Sequence, residues 1–224
     1  MRIAAVSDTH GMLHAATMPE ADLLLIAGDY CPNFRGGETA DGRQQVEWIK
    51  TILNPFLRSL PYKNRLIIAG NHDWCHYVDE TKRAARRAID ATYLEDEFTI
   101  IDGVRFYGSP WQPWFYDWGF NLSKNDADLG YPHAKKIWSK ISDKVDVLVT
   151  HGPPANIRDL CPDGRRVGCP ILRERIFQVK PKLHIFGHIH EGYGVEDVAG
   201  VKFANVSLCD GAYRPVNPIQ VFEV

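Results

Sequence analysis

Five short apolar runs, each followed closely by polar side chains that can bind a metal, constrain the fold of this chain more than any other feature. The runs cover residues 3–6, 23–27, 66–69, 145–149 and 183–186. Short, continuously apolar runs are typical of strands that are covered on both faces. Helical patterns between several of the runs favour a parallel arrangement, which gathers the carboxyl ends of the strands at one edge. That edge is where open α/β sheets bind ligands.

The side chains that follow these runs form a mixed set of metal donors: Asp8, His10, Asp29, Asn71, His151, His188 and His190. Carboxylate, amide and imidazole donors without a thiolate suit Mn, Fe, Zn, Co or Ni better than calcium. A catalytic zinc usually takes three protein ligands, so this set suffices for two metals if one carboxylate bridges them. Two metals about 3.5–4 Å apart clamp the attacking and leaving oxygens of a displacement at phosphorus. The pattern therefore predicts a dinuclear metal site at the strand ends.

His72 and Asp73 directly follow the expected ligand Asn71 and add a possible acid to the site. A carboxylate beside an imidazole can fix its tautomer and favour its protonated form. A protonated His72 facing the metals would stabilise phosphoryl charge or donate a proton to the leaving oxygen. The alternative is that His72 only supports the ligands from behind or positions the substrate.

The composition indicates an ordinary globular chain. At 224 residues and 45% hydrophobic content, we expect one domain covering residues 1–224. A net charge of −2 gives no general attraction to nucleic acid or to an anionic membrane, and no apolar run is long enough to span a bilayer. The first strand begins by Arg2, so no leader segment is expected. Five cysteines without repeated C-x-x-C spacing favour a reduced, cytoplasmic location.

Helical patterns are expected over residues 36–61, 74–92, 133–141 and 170–179. Pro55 lies inside the first of them and predicts a break or kink near Leu53 and Asn54. Asp102 and Gly103 predict the turn of a β-hairpin. Residues 201–208 and 219–224 are expected to be closing antiparallel strands.

Taken in chain order, the polar motifs are Asp8-Thr9-His10, Gly28-Asp29, Gly70-Asn71-His72-Asp73, His151-Gly152 and Gly187-His188-Ile189-His190. In this order they resemble those of the calcineurin-like metallophosphoesterases. The resemblance implies a four-layer α/β/β/α sandwich of two mixed β-sheets flanked by helices, with a dinuclear metal site at the strand ends. It also implies a division of roles. One metal would be held by Asp8, His10 and His190, the other by Asn71, His151 and His188, with Asp29 as the bridge. His72 would be the catalytic acid and phosphate contact, oriented by Asp73.

A narrower resemblance lies outside the metal motifs, in residues 108–113, 117–121, 151–154 and 190–194. These segments look like the metallophosphoesterase-domain-containing subfamily of compact phosphodiesterases, which implies small substrates such as cyclic nucleotides. The chain departs from the serine/threonine phosphoprotein phosphatases, which carry Gly-Asn-His-Glu where this motif ends in Asp73. Protein phosphatase activity is therefore disfavoured.

Candidate substrate contacts are Asn71, His72, Trp111, Trp114, Arg165 and Arg166. The two tryptophans could stack on a nucleobase or pack against the core, and the two arginines could reach a phosphate or lie on the surface. His76 lies four residues beyond His72 and is a further candidate to line the pocket.

The expected function is that of a metal-dependent phosphodiesterase acting on a small phosphoester, possibly a nucleotide, with two divalent ions of which Mn²⁺ is favoured. One alternative is a nuclease or phosphomonoesterase on the same scaffold. Another is a non-catalytic interaction module with a phosphoesterase fold.

Overall fold

Two mixed β-sheets packed face to face carry the strand ends that the sequence singles out, and the computed structural model describes residues 1–224. The strands, in chain order, are β1 (Arg2–Val6), β2 (Leu23–Ala27), β3 (Asn64–Ile68), β4 (Thr92–Tyr93), β5 (Glu97–Ile101), β6 (Val104–Ser109), β7 (Val147–Thr150), β8 (Leu183–Phe186), β9 (Gly194–Val198), β10 (Val201–Asn205) and β11 (Gln220–Glu223). The first sheet has the order β11-β1-β2-β3-β4, and the second has the order β5-β6-β7-β8-β10-β9.

Helices cover the outer face of each sheet. They are α1 (Glu38–Trp48), α2 (Asn54–Ser59), α3 (Trp74–Tyr77), α4 (Lys82–Ala88), α5 (Pro132–Trp138) and α6 (Pro170–Val179). One apolar core lies between the two sheets and joins residues such as Leu25 of β2 with Val149 of β7. A second core lies between the first sheet and the helices α1 and α4. A third core lies between the second sheet and the helices α5 and α6. The predicted α/β/β/α sandwich is confirmed.

The strand directions bring the site together. β1, β2 and β3 are mutually parallel, and so are β6, β7 and β8 in the other sheet. Every residue of β2, β7 and β8 is buried, which explains why these strands appear in the sequence as largely apolar runs. The residues that follow β1, β2 and β7 meet across the two sheets, since ligand atoms of Asp8, Asp29 and His151 lie within 4.8 Å of one another.

The helix is irregular where a break or kink is predicted near Leu53 and Asn54, but the chain does not break there. A π-helical segment, Ile49–Leu53, joins α1 to α2, and the residues on either side of it, Trp48 and Asn54, keep right-handed helical backbones. Proline lacks an N–H and clashes with the carbonyl group four residues earlier. The wider π-helical turn accommodates that defect, so the helical path continues into α2.

The single helix predicted over residues 74–92 is wrong. The chain instead forms α3 and α4 and then the short strand β4. Val78 has an extended backbone, and its carbonyl oxygen accepts hydrogen bonds from the N–H groups of Thr81 and Lys82. These bonds close a turn where the predicted helix would have continued.

The closing strands also differ from the prediction, because β10 and β11 belong to different sheets. β11 pairs antiparallel with β1, whereas β10 runs parallel to β8 and antiparallel to β9. β9 has no counterpart among the strands predicted from the sequence. It forms a hairpin with β10 through Ala199 and Gly200, which both have positive φ angles, as such tight turns require. The hairpin predicted at Asp102 and Gly103 is present between β5 and β6.

No helix is both long enough and apolar enough to cross a lipid bilayer.

Candidate metal centre and substrate cleft

Four of the seven expected metal ligands adopt left-handed backbone conformations. The φ angles are 50° at Asp8, 43° at His10, 51° at Asp29 and 67° at His188. A residue other than glycine in such a sparsely populated region costs of order 1–3 kcal/mol, and such residues concentrate at functional sites. The strands therefore end in strained turns that direct these side chains toward one another.

The first ligand cluster consists of Asp8, His10 and His190, with ligand atoms within 4.8 Å of one another. Nε2 of His190 lies 3.5 Å from Oδ1 of Asp8 and 3.4 Å from Nε2 of His10. Nδ1 of His190 donates to the carbonyl oxygen of Asp210 at 2.9 Å. With Nδ1 protonated for that bond, Nε2 of His190 is directed at the other two donors and is free to bind a metal.

The second cluster is formed by Asp29, Asn71 and His151. Nε2 of His151 lies 3.0 Å from Oδ1 of Asn71 and 3.4 Å from Oδ2 of Asp29. Nδ1 of the same ring faces the carbonyl oxygen of Ala27 at 3.1 Å. This repeats the His190 arrangement, in which a backbone carbonyl holds one ring nitrogen and the other faces oxygen donors.

Asp29 belongs to the second cluster and also reaches residues of the first. Its carboxylate belongs to one ligand group with His10 and His72 and to another with Asp8 and His151. Oδ1 of Asp29 accepts the backbone N–H of His72 at 2.8 Å, which leaves Oδ2 directed at the imidazoles. This approach requires glycine at position 70, because a Cβ there would lie 2.3 Å from Oδ1 of Asp29.

The carboxylate of Asp8 is fixed by groups that the sequence analysis did not identify. Its Oδ2 accepts hydrogen bonds from the hydroxyls of Ser7, at 2.6 Å, and Ser207, at 2.7 Å. The backbone N–H of His188 donates to the same carboxylate at 3.0 Å. Ser207 follows β10 and is 199 residues from Asp8 in the chain, so no local motif reveals it.

The buried charges of the site support one another. Burial raises the pKa of the Asp8 and Asp29 carboxyls, but His190 and His151 outweigh it and hold both below their usual range. Burial lowers the pKa of His151 and His190, but the charges of Asp29 and Asp8 raise both to about 9. Two carboxylates thus remain ionised inside the protein, each facing an imidazole whose proton a bound cation would replace.

His188 lies at the edge of this arrangement. Burial lowers the pKa of its ring to about 3, so the imidazole is neutral, as a metal ligand must be. Its ring centroid is 5.0 Å from that of His151. His188 belongs to none of the groups of three side chains whose ligand atoms lie within 4.8 Å of one another. The other histidines expected to be ligands each belong to at least one such group.

The donors that converge here fit divalent metal ions. Nε2 of His10 faces Nε2 of His190, and Nε2 of His151 faces two oxygen donors, with every ring buried or nearly so. Imidazole nitrogens that converge beside two carboxylates form a donor set for a divalent ion, which would replace the protons that His151 and His190 otherwise carry. The mixed N and O donor set is one that Mn, Fe, Zn, Co and Ni bind.

His72 is oriented by Asn33 and not, as the sequence predicts, by Asp73. Nδ1 of His72 lies 2.7 Å from Oδ1 of Asn33. The carboxylate of Asp73 turns the other way and accepts the backbone N–H groups of Cys31 and Gly70 at 2.9 and 2.8 Å. Asp73 therefore ties the loop after β3 to the loop after β2.

One face of the His72 ring is also covered by a tryptophan. Trp118 stacks on it with the ring centroids 4.0 Å apart, and Trp118 is itself stacked on Trp74. Nε2 of His72 lies 3.9 Å from Oδ2 of Asp29. Burial lowers the pKa of His72 although the charge of Asp29 opposes it, which differs from the expectation that a neighbouring carboxylate favours the protonated ring.

A cleft of about 450 Å³ opens over Asp29, Asn71 and His72. Its walls include Trp114 and Arg165, as the sequence analysis expects of substrate contacts. Further wall residues that it did not single out as contacts are Phe115, Tyr116, Glu191 and Tyr213.

Trp111, Arg166 and His76 lie outside this cleft. Trp111 packs against Phe120 and donates to Asp96, which makes it part of the support for the aromatic segment. Arg166 is paired with the buried Asp159 at 2.7 Å and so holds the loop after β7. His76 is buried, shares a hydrogen bond with the Tyr30 hydroxyl, and stacks on the ring of Tyr93.

The fold and this site define the class of protein. The model of the calcineurin-like phosphoesterase family matches residues 1–192, and the chain belongs to that family. Over its full length the chain is 36% identical to human metallophosphoesterase domain-containing protein 1 and covers 71% of that protein. The resemblance drawn from the motifs is thereby confirmed.

Solved structures of distant proteins share the fold. Phosphopantetheinyl hydrolase from Mycobacterium tuberculosis superposes with a TM-score of 0.59 at 14% identity, covering 94% of this chain and 90% of that one. The protein TT1561 of Thermus thermophilus superposes with a TM-score of 0.55 at 15% identity, covering 91% and 88%. At these identities the likeness concerns the architecture alone.

Proposed function

We propose that this chain is a metal-dependent phosphodiesterase that hydrolyses small phosphodiesters such as cyclic nucleotides. The observation that carries the proposal is the position of Asp29, whose carboxylate lies between two clusters of converging donors at the floor of a cleft. His72 stands beside it with Nε2 directed at the same carboxylate. Membership of a family of phosphoester hydrolases supports this reading of the chemistry.

Two divalent metal ions are the proposed cofactors, with Mn²⁺ favoured and Fe, Zn, Co and Ni as alternatives. Asp8, His10 and His190 would hold one ion, Asn71, His151 and His188 the other, and Asp29 would bridge them. When bound, such a pair supplies a nucleophile from water near neutral pH and neutralises charge on the phosphoryl oxygens. The backbone carbonyls of Ala27 and Asp210 keep the rings of His151 and His190 in the orientation that binding needs.

His72 is the proposed contact and proton donor for the substrate. Because its Nδ1 bonds to Asn33, Nε2 is the atom that remains for the phosphoryl group or the leaving oxygen. A bound phosphate brings negative charge to the ring and raises its pKa, which favours the protonated form. The stacked Trp118 limits rotation of the ring and so keeps Nε2 aimed at the site.

The charges along the cleft favour a diester over a monoester. Apart from Asp29, the charged carboxylate and guanidinium side chains that line the cleft are Glu191 and Arg165. The positive charge of Arg165 is exposed and already paired with Asp163 at 2.6 Å. A phosphodiester carries one negative charge, whereas a phosphomonoester carries nearly two near neutral pH and needs stronger positive recognition. Phosphomonoesterase activity is therefore the second candidate function.

A small-molecule partner suits this cleft better than nucleic acid does. Trp114, Phe115 and Tyr116 are 38–64% exposed and offer aromatic faces on which a nucleobase can stack. The basic helix α4 is partly neutralised, since Lys82 pairs with Asp79 and Arg86 with Glu97. This argues against the nuclease alternative. All five cysteines are free, in keeping with the proposed cytoplasmic location.

Hydrolysis of bis-p-nitrophenyl phosphate tests the proposal. We expect turnover that requires added Mn²⁺ or a similar ion, disappears with a chelator and returns when the ion is restored. A panel containing p-nitrophenyl phosphate, cyclic nucleotides and single-stranded DNA should show the cyclic nucleotides preferred. No metal uptake together with no turnover on any substrate would favour the non-catalytic interaction module instead.

Asn33→Ala is expected to lower turnover by about tenfold to a hundredfold, because His72 loses the hydrogen bond that orients its ring. Asn33→Asp keeps an acceptor for Nδ1 and should restore most of the activity. Steady-state kinetics of both variants, with metal content measured in parallel, show whether this hydrogen bond contributes to turnover. Equal activity in Asn33→Ala and the unaltered protein would show that the hydrogen bond has no part in turnover.

A further inference from the structure

Tyr213 projects into the cleft from a part of the chain that the family match does not cover, since that match ends at residue 192. Its ring centroid lies 4.7 Å from that of His10 and 5.4 Å from that of His190. The ring is also 6.3 Å from that of His72. Tyr213 therefore stands over the first ligand cluster and beside the proposed acid.

The turn that carries Tyr213 is firmly held. The carboxylate of Asp210 accepts the backbone N–H groups of Ala212 and Arg214 and pairs with the Arg214 guanidinium. The carbonyl oxygen of Asp210 accepts both the N–H of Tyr213 and Nδ1 of His190. One turn thus orients a metal-ligand histidine and positions Tyr213 relative to it.

The backbone of Tyr213 is strained in a way that suits a functional residue. Its φ angle is 58°, a left-handed conformation that bulky side chains rarely adopt. Such a conformation costs of order 1–3 kcal/mol and persists where the surrounding structure enforces it. Here the Asp210 turn enforces it, and the result is a ring directed at the histidines of the site.

The hydroxyl of Tyr213 makes no hydrogen bond to the protein, and the residue is 45% exposed. We propose that this hydroxyl binds substrate by donating a hydrogen bond to a phosphoryl oxygen seated over His10 and His190. The inference rests on the proposed function, because it needs a phosphoester in the cleft. A phenolic O–H is a good donor near neutral pH, and a bond to a charged oxygen is stronger than one between neutral groups.

Two variants separate the hydroxyl from the ring. Tyr213→Phe keeps the packing on His10 and removes only the O–H, whereas Tyr213→Ala removes both. The readouts are the Mn²⁺ content, the inhibition constant of inorganic phosphate, and kcat and KM for bis-p-nitrophenyl phosphate. For Tyr213→Phe we expect unchanged Mn²⁺ content and an inhibition constant and KM raised about tenfold, as for the loss of one hydrogen bond to a charged group.

Tyr131→Phe is the matched control, since Tyr131 precedes α5, lies outside the cleft and should leave every readout unchanged. Unchanged phosphate inhibition and KM in Tyr213→Phe would overturn the proposed role of the hydroxyl. So would an increase that appears only in Tyr213→Ala, because packing alone would then explain it. Absence of turnover on every diester would contradict the proposed function. In that case calorimetry of inorganic phosphate binding still tests Tyr213, since weaker binding by Tyr213→Phe than by the wild-type protein would support its role and equal binding would overturn it.

Discussion

Asp29→Ala is expected to remove bound metal from both halves of the site and to lower turnover by at least about a thousandfold. The carboxylate lies in ligand groups with His10 and His72 on one side and with Asp8 and His151 on the other. Its loss removes a shared ligand and one of two buried negative charges, which costs several kcal/mol of transition-state stabilisation. Metal analysis and steady-state hydrolysis of bis-p-nitrophenyl phosphate give the two readouts.

The matched control is Asp126→Ala, another buried aspartate. Its carboxylate accepts the N–H groups of His133 and Ala134 at the start of α5, outside the site. This variant should lose about 1 kcal/mol of stability through the missing helix cap and keep its full metal content. If Asp29→Ala still bound two metal ions with wild-type affinity, the bridging position of Asp29 would be refuted.

His72→Ala should lower turnover by about 10²- to 10⁴-fold and leave metal content nearly intact. The ring lies 3.9 Å from Asp29 and shares one ligand group with it, but Asn33 and Trp118 hold the ring, and the proposed ligands of both ions remain when it is removed. Because proton donation matters more for poor leaving groups, the loss should be greater for alkyl diesters than for nitrophenyl diesters. Kinetics with both kinds of substrate measure this difference.

His14→Ala serves as the control, since His14 is exposed and remote from the cleft. It should match the unaltered protein for both classes of substrate. Complete loss of metal from His72→Ala would count against a role as acid and would assign His72 to metal binding. An equal loss of rate for alkyl and nitrophenyl diesters would favour substrate positioning instead.

The strands and the ligands at their ends could be predicted because each is a local feature of the sequence. A buried parallel strand appears as an apolar run, and Asp29 or His151 follows its run within a few residues. The direction of the strands then brings the ligands together. The layer arrangement was accessible through the family resemblance.

The groups that orient these ligands could not be predicted, because they come from distant parts of the chain. Asn33 is 39 residues from His72, and Ser207 is 199 residues from Asp8. Asp73 was the only carboxylate beside His72 in the sequence, but backbone donors from Cys31 and Gly70 hold it in the fold. Adjacency in sequence is a poor guide to which side chain faces a ring.

The differences between the predicted and observed helices also have physical causes. The residues around Val78 have a helical pattern, but an extended Val78 backbone and a tertiary turn divide the segment into α3 and α4. Pro55 indicates a defect in the helix, yet a π-helical turn absorbs it without breaking the path. In both cases packing against the first sheet decides among backbone forms that propensity alone leaves open.

An anomalous difference map from crystals soaked in Mn²⁺ tests the central claim most directly. We expect two peaks about 3.5–4 Å apart. One should lie among Asp8, His10 and His190, the other beside Asn71, His151 and His188, with the Asp29 carboxylate between them. A single peak, or peaks away from these residues, would contradict it.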